Sequence, residues 1–205
     1  MAQQVQQNLV EKAFMADPAP LGLAGFAFTT FLLSFANAGI LPASTAQVVM
    51  PLAMAYGGTC QFIAGAYEMR KGNTFGFTAF SSYGAFWWFY ALLVLLSSVG
   101  IISPPASAIG TALILYGFFT LYMWIPVTTV NLSLNLTFLF LWLAFFILGA
   151  GALTGSAAIT HIGGYVGFLT AFFAAYTSFA IVTNSVVGAG TIPTGPGLKW
   201  KKRSA

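Results

Sequence analysis

Charged side chains are scarce in this 205-residue chain, where seven Lys or Arg and three Asp or Glu make up 5% of the residues. Soluble domains carry about 25% charged residues, because their surface faces water. The scarcity excludes an ordinary soluble domain. Hydrophobic residues form 59% of the chain, which predicts a surface that faces lipid. We therefore interpret the chain as an all-α integral membrane protein with one transmembrane domain.

Residues that carry catalytic chemistry are equally scarce. Cys60 is the single cysteine, which excludes an internal disulfide, and His161 is the single histidine. One histidine, one cysteine and three acids do not make a metal cluster, a phosphate loop or a nucleophile–base pair. We predict a protein that is not an enzyme and uses no cofactor or metal. We interpret Cys60 as a packing residue and His161 as a hydrogen-bonded structural residue.

Long apolar runs predict six membrane spans. A helix of roughly 20 apolar residues, rising about 1.5 Å per residue, crosses a bilayer. The runs are continuous rather than alternating, which argues against a β-barrel. The sixth run is longer than one crossing requires, which predicts tilt or an irregular start near 161–164. The predicted spans are 21–41, 48–69, 75–99, 107–125, 132–153 and 156–187.

The charged residues form three groups that six spans place on one side of the membrane. The groups are Glu11, Lys12 and Asp17 before the first span, Glu68, Arg70 and Lys71 after the second, and Lys199, Lys201, Lys202 and Arg203 after the sixth. Lys and Arg favour the cytoplasmic side, so we predict a plasma-membrane protein with both termini cytoplasmic. The predicted domains are a tail at 1–16, a six-helix transport domain at 17–190 and a basic, mobile tail at 191–205.

The net charge of +4 is small and localised, so it indicates membrane topology rather than nucleic-acid binding. We interpret Glu68 as a surface charge neutralised by Arg70 and Lys71. The stretch Asp17-Pro18 suits the start of the first helix, with Asp17 as N-cap, and leaves backbone N–H groups that attract anions. Small residues four apart predict close helix packing. They are Gly57, Gln61 and Gly65; Gly151 and Gly155; Gly163 and Gly167.

Neutral polar side chains lie inside the apolar spans, where each costs free energy unless it is paired or meets water. Interhelical hydrogen bonds, worth about 0.6 kcal/mol each, account for most of the Ser and Thr. A second interpretation is a path for a small polar solute, which Asn37 and Gln61 favour because amides are difficult to bury. The candidate substrate-binding residues are Pro18, Leu21, Gly22, Leu23, Thr29, Thr30, Asn37, Gln61 and Ser82.

Three stretches carry a family resemblance. They are DPAPLGL at 17–23, YGGTCQFIAG at 56–65 continuing into KGNTFGFTAFSSYGAFWW at 71–88, and GSAAITHIGGYVG at 155–167. In this order they resemble the acetate/succinate transporter family, also called the GPR1/FUN34/YaaH family, whose signature reads N-P-A-P-L-G-L. Position 17 departs from that signature, because Asp replaces Asn and adds a negative charge near an anion entrance.

The resemblance implies six helices per protomer, ring-like hexamers and one path per protomer for acetate and related short carboxylates, possibly including succinate. It also implies a constriction formed by Phe26, Tyr83 and Leu141. The residues show no obvious proton-coupling group, which favours a channel or a weakly proton-coupled route. Two alternatives stay open, namely a channel for a neutral solute such as urea or ammonia and a membrane scaffold without transport.

Overall fold

The computed structural model describes residues 15–199, and within this range the chain forms helices joined by turns and loops, with one isolated β-bridge. Six helices in the described part are long and apolar enough to cross a membrane. They are α1 (Ala19–Asn37), α2 (Ala43–Lys71), α3 (Thr74–Ser98), α4 (Ala106–Val127), α5 (Leu132–Thr154) and α6 (Ala157–Val187). The prediction of an all-α, multi-pass membrane protein with six spans is confirmed. The sixth helix is regular throughout, so an irregular start is excluded.

Local sequence signals set several of the helix ends. Asn73, Asn131 and Ser156 precede α3, α5 and α6, and each side-chain oxygen accepts a backbone N–H three residues later. Gly72 and Gly155 follow α2 and α5 with φ values of 77° and 66°. A residue with a Cβ is strained in this left-handed conformation, so glycine ends these helices.

The first helix begins two residues after Asp17. Pro18 holds the N-cap position, and the Asp17 Oδ1 accepts the backbone N–H of Ala19 at 3.1 Å. The prediction that Asp17 is the N-cap residue is therefore wrong by one position, although its carboxylate does bond the free end of the helix. The Ser178 hydroxyl donates to the Pro20 carbonyl at 2.7 Å and ties this end to α6.

Helix α2 contains a wide, π-helical segment at Ala53–Cys60. Pro51 lies two residues before it and has no backbone N–H to donate, which removes one hydrogen bond of the regular helix at this point. The Thr59 hydroxyl donates to the carbonyl of Met54, five residues back, at 2.7 Å. Segments of this kind are frequent at functional sites, and this one ends directly before Gln61.

The six helices surround an enclosed interior. Adjacent helices pack in the order α4, α5, α6, α1, α2 and α3. The two ends of this series, α3 and α4, meet through large side chains: the ring centroids of Phe86 and Tyr116 lie 4.9 Å apart. The Tyr83 hydroxyl also donates to Thr120 Oγ1 at 3.0 Å across the same boundary. The boundary between α3 and α4 is therefore closed by side chains rather than by closely packed backbone.

Glycines allow the closest backbone approaches. A Cβ placed at Gly84 of α3 would lie 3.0 Å from the Gly58 carbonyl oxygen of α2. The predicted packing rows are confirmed for the five glycines that face a neighbouring helix, which are Gly57, Gly65, Gly151, Gly163 and Gly167. Gly155 does not pack and instead ends α5. Close packing along these rows brings the backbones of neighbouring helices together.

The C-terminal segment 191–199 is held against the bundle. The Asn184 side chain accepts the N–H of Ile192 at 2.7 Å and donates to its carbonyl at 2.9 Å. Leu198 donates its N–H to the Thr128 carbonyl at 2.7 Å, beside the turn between α4 and α5. The prediction of a mobile tail is therefore wrong for this part of it. The remainder of that tail, and residues 1–14 of the N-terminal tail, lie outside the described residues.

The charged residues of the described part lie at one end of the bundle, termed the charged end. Lys71 Nζ and Asp17 Oδ1 are 2.9 Å apart, and both side chains are partly exposed. The bond of Leu198 to the α4–α5 turn places Lys199 at the same end.

His161 does not have the hydrogen-bonded role predicted for it. Its ring is exposed and packs against Gly39, and it makes no hydrogen bond with any residue of 15–199. Cys60 is half-buried, and its thiol lies 3.6 Å from the carbonyl of Ala55, which agrees with a packing role.

Candidate solute path

Two cavities lie in line inside the bundle. The charged-end cavity has a volume of about 530 Å³, and the far cavity a volume of about 340 Å³. Phe26 and Leu141 line both cavities, so these two side chains separate one cavity from the other. Sites for small molecules typically measure roughly 300–1,000 Å³, so each cavity has room for a small solute.

The separating barrier is apolar and buried. Phe26 of α1, Tyr83 of α3 and Leu141 of α5 are 6%, 4% and 6% exposed and belong to one hydrophobic cluster. The ring centroids of Phe26 and Tyr83 lie 6.0 Å apart. Phe119 and Phe138 support the Tyr83 ring edge-on, at 5.4 and 6.0 Å. The structure thus brings together three residues that are far apart in the sequence.

The Tyr83 hydroxyl is turned away from the barrier towards α4. It donates to Thr120 Oγ1 at 3.0 Å, and the Thr120 hydroxyl in turn donates to the Tyr116 carbonyl at 2.7 Å. The hydroxyl proton of Tyr83 is therefore already used in a hydrogen bond within the protein. What Tyr83 presents to the path is chiefly the apolar surface of its ring.

The threonines that line the cavities also use their hydroxyl protons in hydrogen bonds within the protein. Each hydroxyl donates to a backbone carbonyl three or four residues earlier in the chain, at 2.7–3.2 Å. These residues are Thr30, Thr129, Thr137, Thr160, Thr170 and Thr177. A hydroxyl has one proton to donate, so these side chains offer oxygen lone pairs, and not donors, to a solute. An anion requires donors, and the threonines do not supply them.

Amide side chains supply the donors of the charged-end cavity. Gln61 is 1% exposed and uses one N–H of its amide on the Gly57 carbonyl, at 2.6 Å. Its second N–H is available to a solute. The Asn131 oxygen accepts the N–H of Leu134 at 2.8 Å, which leaves its amide nitrogen free to donate. Lys71 adds a cation at the mouth, where Asp17 pairs with it.

The far cavity has a donor of its own. Trp87 lines it and is 2% exposed, and its indole nitrogen has no hydrogen-bond partner in the described part of the chain. An unpaired buried donor costs roughly 1–3 kcal/mol, which a solute oxygen in the cavity would recover. The Asn37 amide lines the same cavity. Donors therefore lie on both sides of a barrier that has none.

Glu68 is the residue that sequence reasoning placed incorrectly. Its side chain is 1% exposed and lines the charged-end cavity, whereas a surface charge was the prediction. The Asn73 amide donates to its Oε2 at 2.7 Å. The signal is present in the sequence, because Glu68 follows Gln61 by seven residues and so shares its helix face. Arg70, two residues on, points to the exposed side.

The other predicted binding residues are divided by the structure. Leu23 and Gln61 line the charged-end cavity, Thr30 and Asn37 the far cavity, and Leu21 a shallow surface groove. Four residues line none of these three, which are Pro18, Gly22, Thr29 and Ser82. Gly22 gives space to the Phe80 ring, and the buried Thr29 hydroxyl bonds the Gly25 carbonyl at 2.7 Å. The cavities also contain residues absent from the prediction: Glu68, Asn73, Trp87, Asn131 and Thr137.

Comparison with known proteins gives a consistent result. The model of the GPR1/FUN34/yaaH family matches residues 2–196. A protein of Escherichia coli strain K12 described as a succinate-acetate/proton symporter, SatP, is 37% identical over 182 residues, which cover 88% of this chain and 96% of that protein. A Saccharomyces cerevisiae protein named ammonia transport outward protein 2 is 36% identical and covers 80% of this chain and 61% of its own.

A solved structure is also similar. The structure of the bacterial acetate channel SatP superimposes with a TM-score of 0.85 at 37% identity, covering 88% of this chain and 99% of that chain. The similarity therefore extends over most of this chain and nearly all of that one.

The hydrogen bond between Tyr83 and Thr120 predicts energetic coupling between the two side chains. We expect Tyr83→Phe to fold normally and to cost about 0.5–1.5 kcal/mol, since only the hydroxyl is lost. Unfolding in detergent of Tyr83→Phe, Thr120→Val and the double variant would measure the coupling. If the losses in free energy of unfolding of the two single variants add up to the loss of the double variant, the side chains are not coupled and the hydrogen bond is contradicted.

Proposed function

The chain belongs to the GPR1/FUN34/yaaH family, and we propose that it carries acetate and related short carboxylates across a membrane along the path inside each protomer. The observation that carries this proposal is a pair of cavities with amide and indole donors, separated by Phe26 and Leu141. The relatives described as an acetate channel and as a succinate-acetate/proton symporter support it.

The barrier suits a carboxylate with a small apolar part. Moving an ion from water into a dry, apolar medium costs tens of kcal/mol by Born estimates, so the polar head needs donors wherever water is excluded. Gln61 and Asn131 offer them on the charged side of the barrier, and Trp87 on the far side. The methyl group of acetate fits between Phe26, Tyr83 and Leu141, where an apolar constriction gates by excluding water.

The proposal is tested by measuring the flux of labelled acetate from liposomes that contain the purified protein. We expect acetate flux well above that of protein-free liposomes, which measure the passive leak of acetic acid. Unlabelled propionate should compete with the labelled acetate. A rate equal to that of the protein-free liposomes at every pH would refute transport and leave the membrane scaffold.

A neutral-solute channel is the second candidate, because the far cavity contains no charged residue and one relative is named for ammonia transport. Ammonia flux that is unaffected by acetate, in the absence of acetate flux, would favour this alternative. Acetate flux that propionate inhibits favours the first candidate.

The barrier predicts a change in selectivity when it is shortened. We expect Leu141→Ala or Phe26→Ala to admit butyrate faster relative to acetate, because each removes bulk where the two cavities meet. Tyr83→Phe is the matched control, since it keeps the ring and should keep the selectivity. If these residues only support the core, truncation should cost about 2–5 kcal/mol, and flux should fall in proportion to folded protein with unchanged selectivity.

We place the protein in the plasma membrane with its charged end in the cytoplasm, since Lys and Arg concentrate on that side. The exposed Ser44 lies in the connection between α1 and α2, and the exposed Lys199 at the opposite, charged end. Ser44→Cys and Lys199→Cys, each in a Cys60→Ser background, should react with an impermeant thiol reagent from opposite sides of intact cells. Labelling of both from the outside would contradict this topology.

A hexamer is the proposed assembly. The family resemblance supports it, and so do bulky aromatic side chains exposed on the outer surface, among them Phe28, Phe118, Phe172 and Phe179. Such side chains pack against lipid or against neighbouring protomers. Native mass measurement in mild detergent should give six chains per particle, and a mass of one chain would contradict the proposal.

A further inference from the structure

The charged-end cavity has an excess of negative side chains, which is unexpected on a route for anions. Its charged lining residues are Asp17, Glu68 and Lys71. Lys71 is already paired with Asp17 at 2.9 Å. Glu68 has no cation within 4.0 Å among residues 15–199. An ionised Glu68 would therefore face an incoming carboxylate without a counter-charge.

The surroundings of Glu68 are nearly all neutral. Its carboxyl group receives the 2.7 Å hydrogen bond from Asn73 and presses against the first turn of α3, where a Cβ at Gly76 would lie 2.8 Å from its Cδ. On its own helix, Tyr67 and Arg70 are exposed on other faces. The charged groups that share its cavity are Lys71 and Asp17, and these neutralise one another.

The carboxylate of a substrate in this cavity and the carboxylate of Glu68 repel each other, so the two together bind a proton more tightly than either group alone. The proton matters because the barrier next to the cavity is apolar. Phe26 and Leu141 donate no hydrogen bonds, and the Tyr83 hydroxyl bonds Thr120 instead. A neutral acid therefore crosses the barrier far more easily than an anion. At pH 7 only roughly 0.2% of an acid with a pKa near that of Glu is neutral.

We propose that Glu68 exchanges a proton with the substrate carboxylate in the charged-end cavity, so that the neutral acid crosses the barrier. The O–H bond of the Glu68 carboxyl breaks, one O–H bond forms on the substrate, and Glu68 recovers a proton from water at the charged end. In the opposite direction the arriving acid gives its proton to ionised Glu68 and leaves as an anion. One proton thus moves with each carboxylate. This role rests on the proposed carboxylate transport.

The test is a comparison of acetate flux at two pH values, in liposomes with the leak of protein-free liposomes subtracted. We expect the acetate flux of Glu68→Gln at pH 7 to be at least tenfold lower than that of the wild-type protein. At pH 5 roughly a sixth of such an acid is already neutral, so the loss should be threefold or less. Glu68→Asp, which keeps a carboxyl group, should retain the larger part of the pH 7 rate. Arg70→Gln, a neighbouring exposed charge on the same helix, is the control and should show the wild-type rate at both values.

Proton movement gives a second measurement on the wild-type protein. A pH-sensitive dye should report one proton per acetate, and voltage clamping of a bilayer should show no acetate current. An equal loss of acetate flux at pH 7 and pH 5 in Glu68→Gln would overturn the role of Glu68. An acetate current without proton movement in the wild-type protein would also overturn it. Absence of flux in the wild-type protein would instead overturn the proposed function.

Asn73→Asp keeps the proposal testable if Glu68→Gln does not fold. Asp has the same shape and the same capping ability as Asn, but it replaces the donor facing Glu68 with a second carboxyl oxygen. The pH dependence of acetate flux should then move upward by about one unit or more, because the neighbouring acid favours the protonated form. An unshifted pH dependence would contradict the proposal.

Discussion

The free energy of a carboxylate ion away from water governs the layout of this path. Dehydrating such an ion costs tens of kcal/mol by Born estimates, whereas a hydrogen bond to a charged group returns about 1.5–3 kcal/mol. The barrier formed by Phe26, Tyr83 and Leu141 supplies no free donor. Donors are instead placed on its two sides, at Gln61 and at Trp87. In the proposed transport, the polar parts of the path bind the solute and the apolar part selects what crosses.

A membrane helix must satisfy its polar side chains without water, and this explains which residues are able to serve the solute. A threonine satisfies its hydroxyl on its own helix, as Thr137 and Thr177 do, and then requires nothing from other helices. A glutamine or asparagine amide has two N–H donors and one carbonyl oxygen. Its own backbone does not satisfy all of these groups, so a remaining donor must face a partner or a cavity. The amides are therefore the informative polar residues.

Helix number, type and ends can be predicted from the sequence, because hydrophobic length and capping residues such as Asn73 and Asn131 act locally. The barrier cannot be predicted in this way, since Phe26, Tyr83 and Leu141 lie in three helices and only the family resemblance groups them. The sequence predicts a surface position for Glu68 because Arg70 and Lys71 follow it, although its seven-residue spacing from Gln61 indicates a shared face. The direction of each hydroxyl proton depends on tertiary neighbours, so no pattern reveals that Tyr83 bonds Thr120.

One of the similar proteins is described as a proton symporter and the other as a channel, and this geometry is compatible with both descriptions. Only side chains separate the two cavities, so a small solute needs no rigid-body movement of helices to pass from one to the other. We propose that a path of this kind conducts like a channel. If the proton is exchanged inside the charged-end cavity, the same path nevertheless moves a proton with every carboxylate, because the species that crosses is neutral. Coupling then follows from the chemistry of the cavity rather than from alternating access.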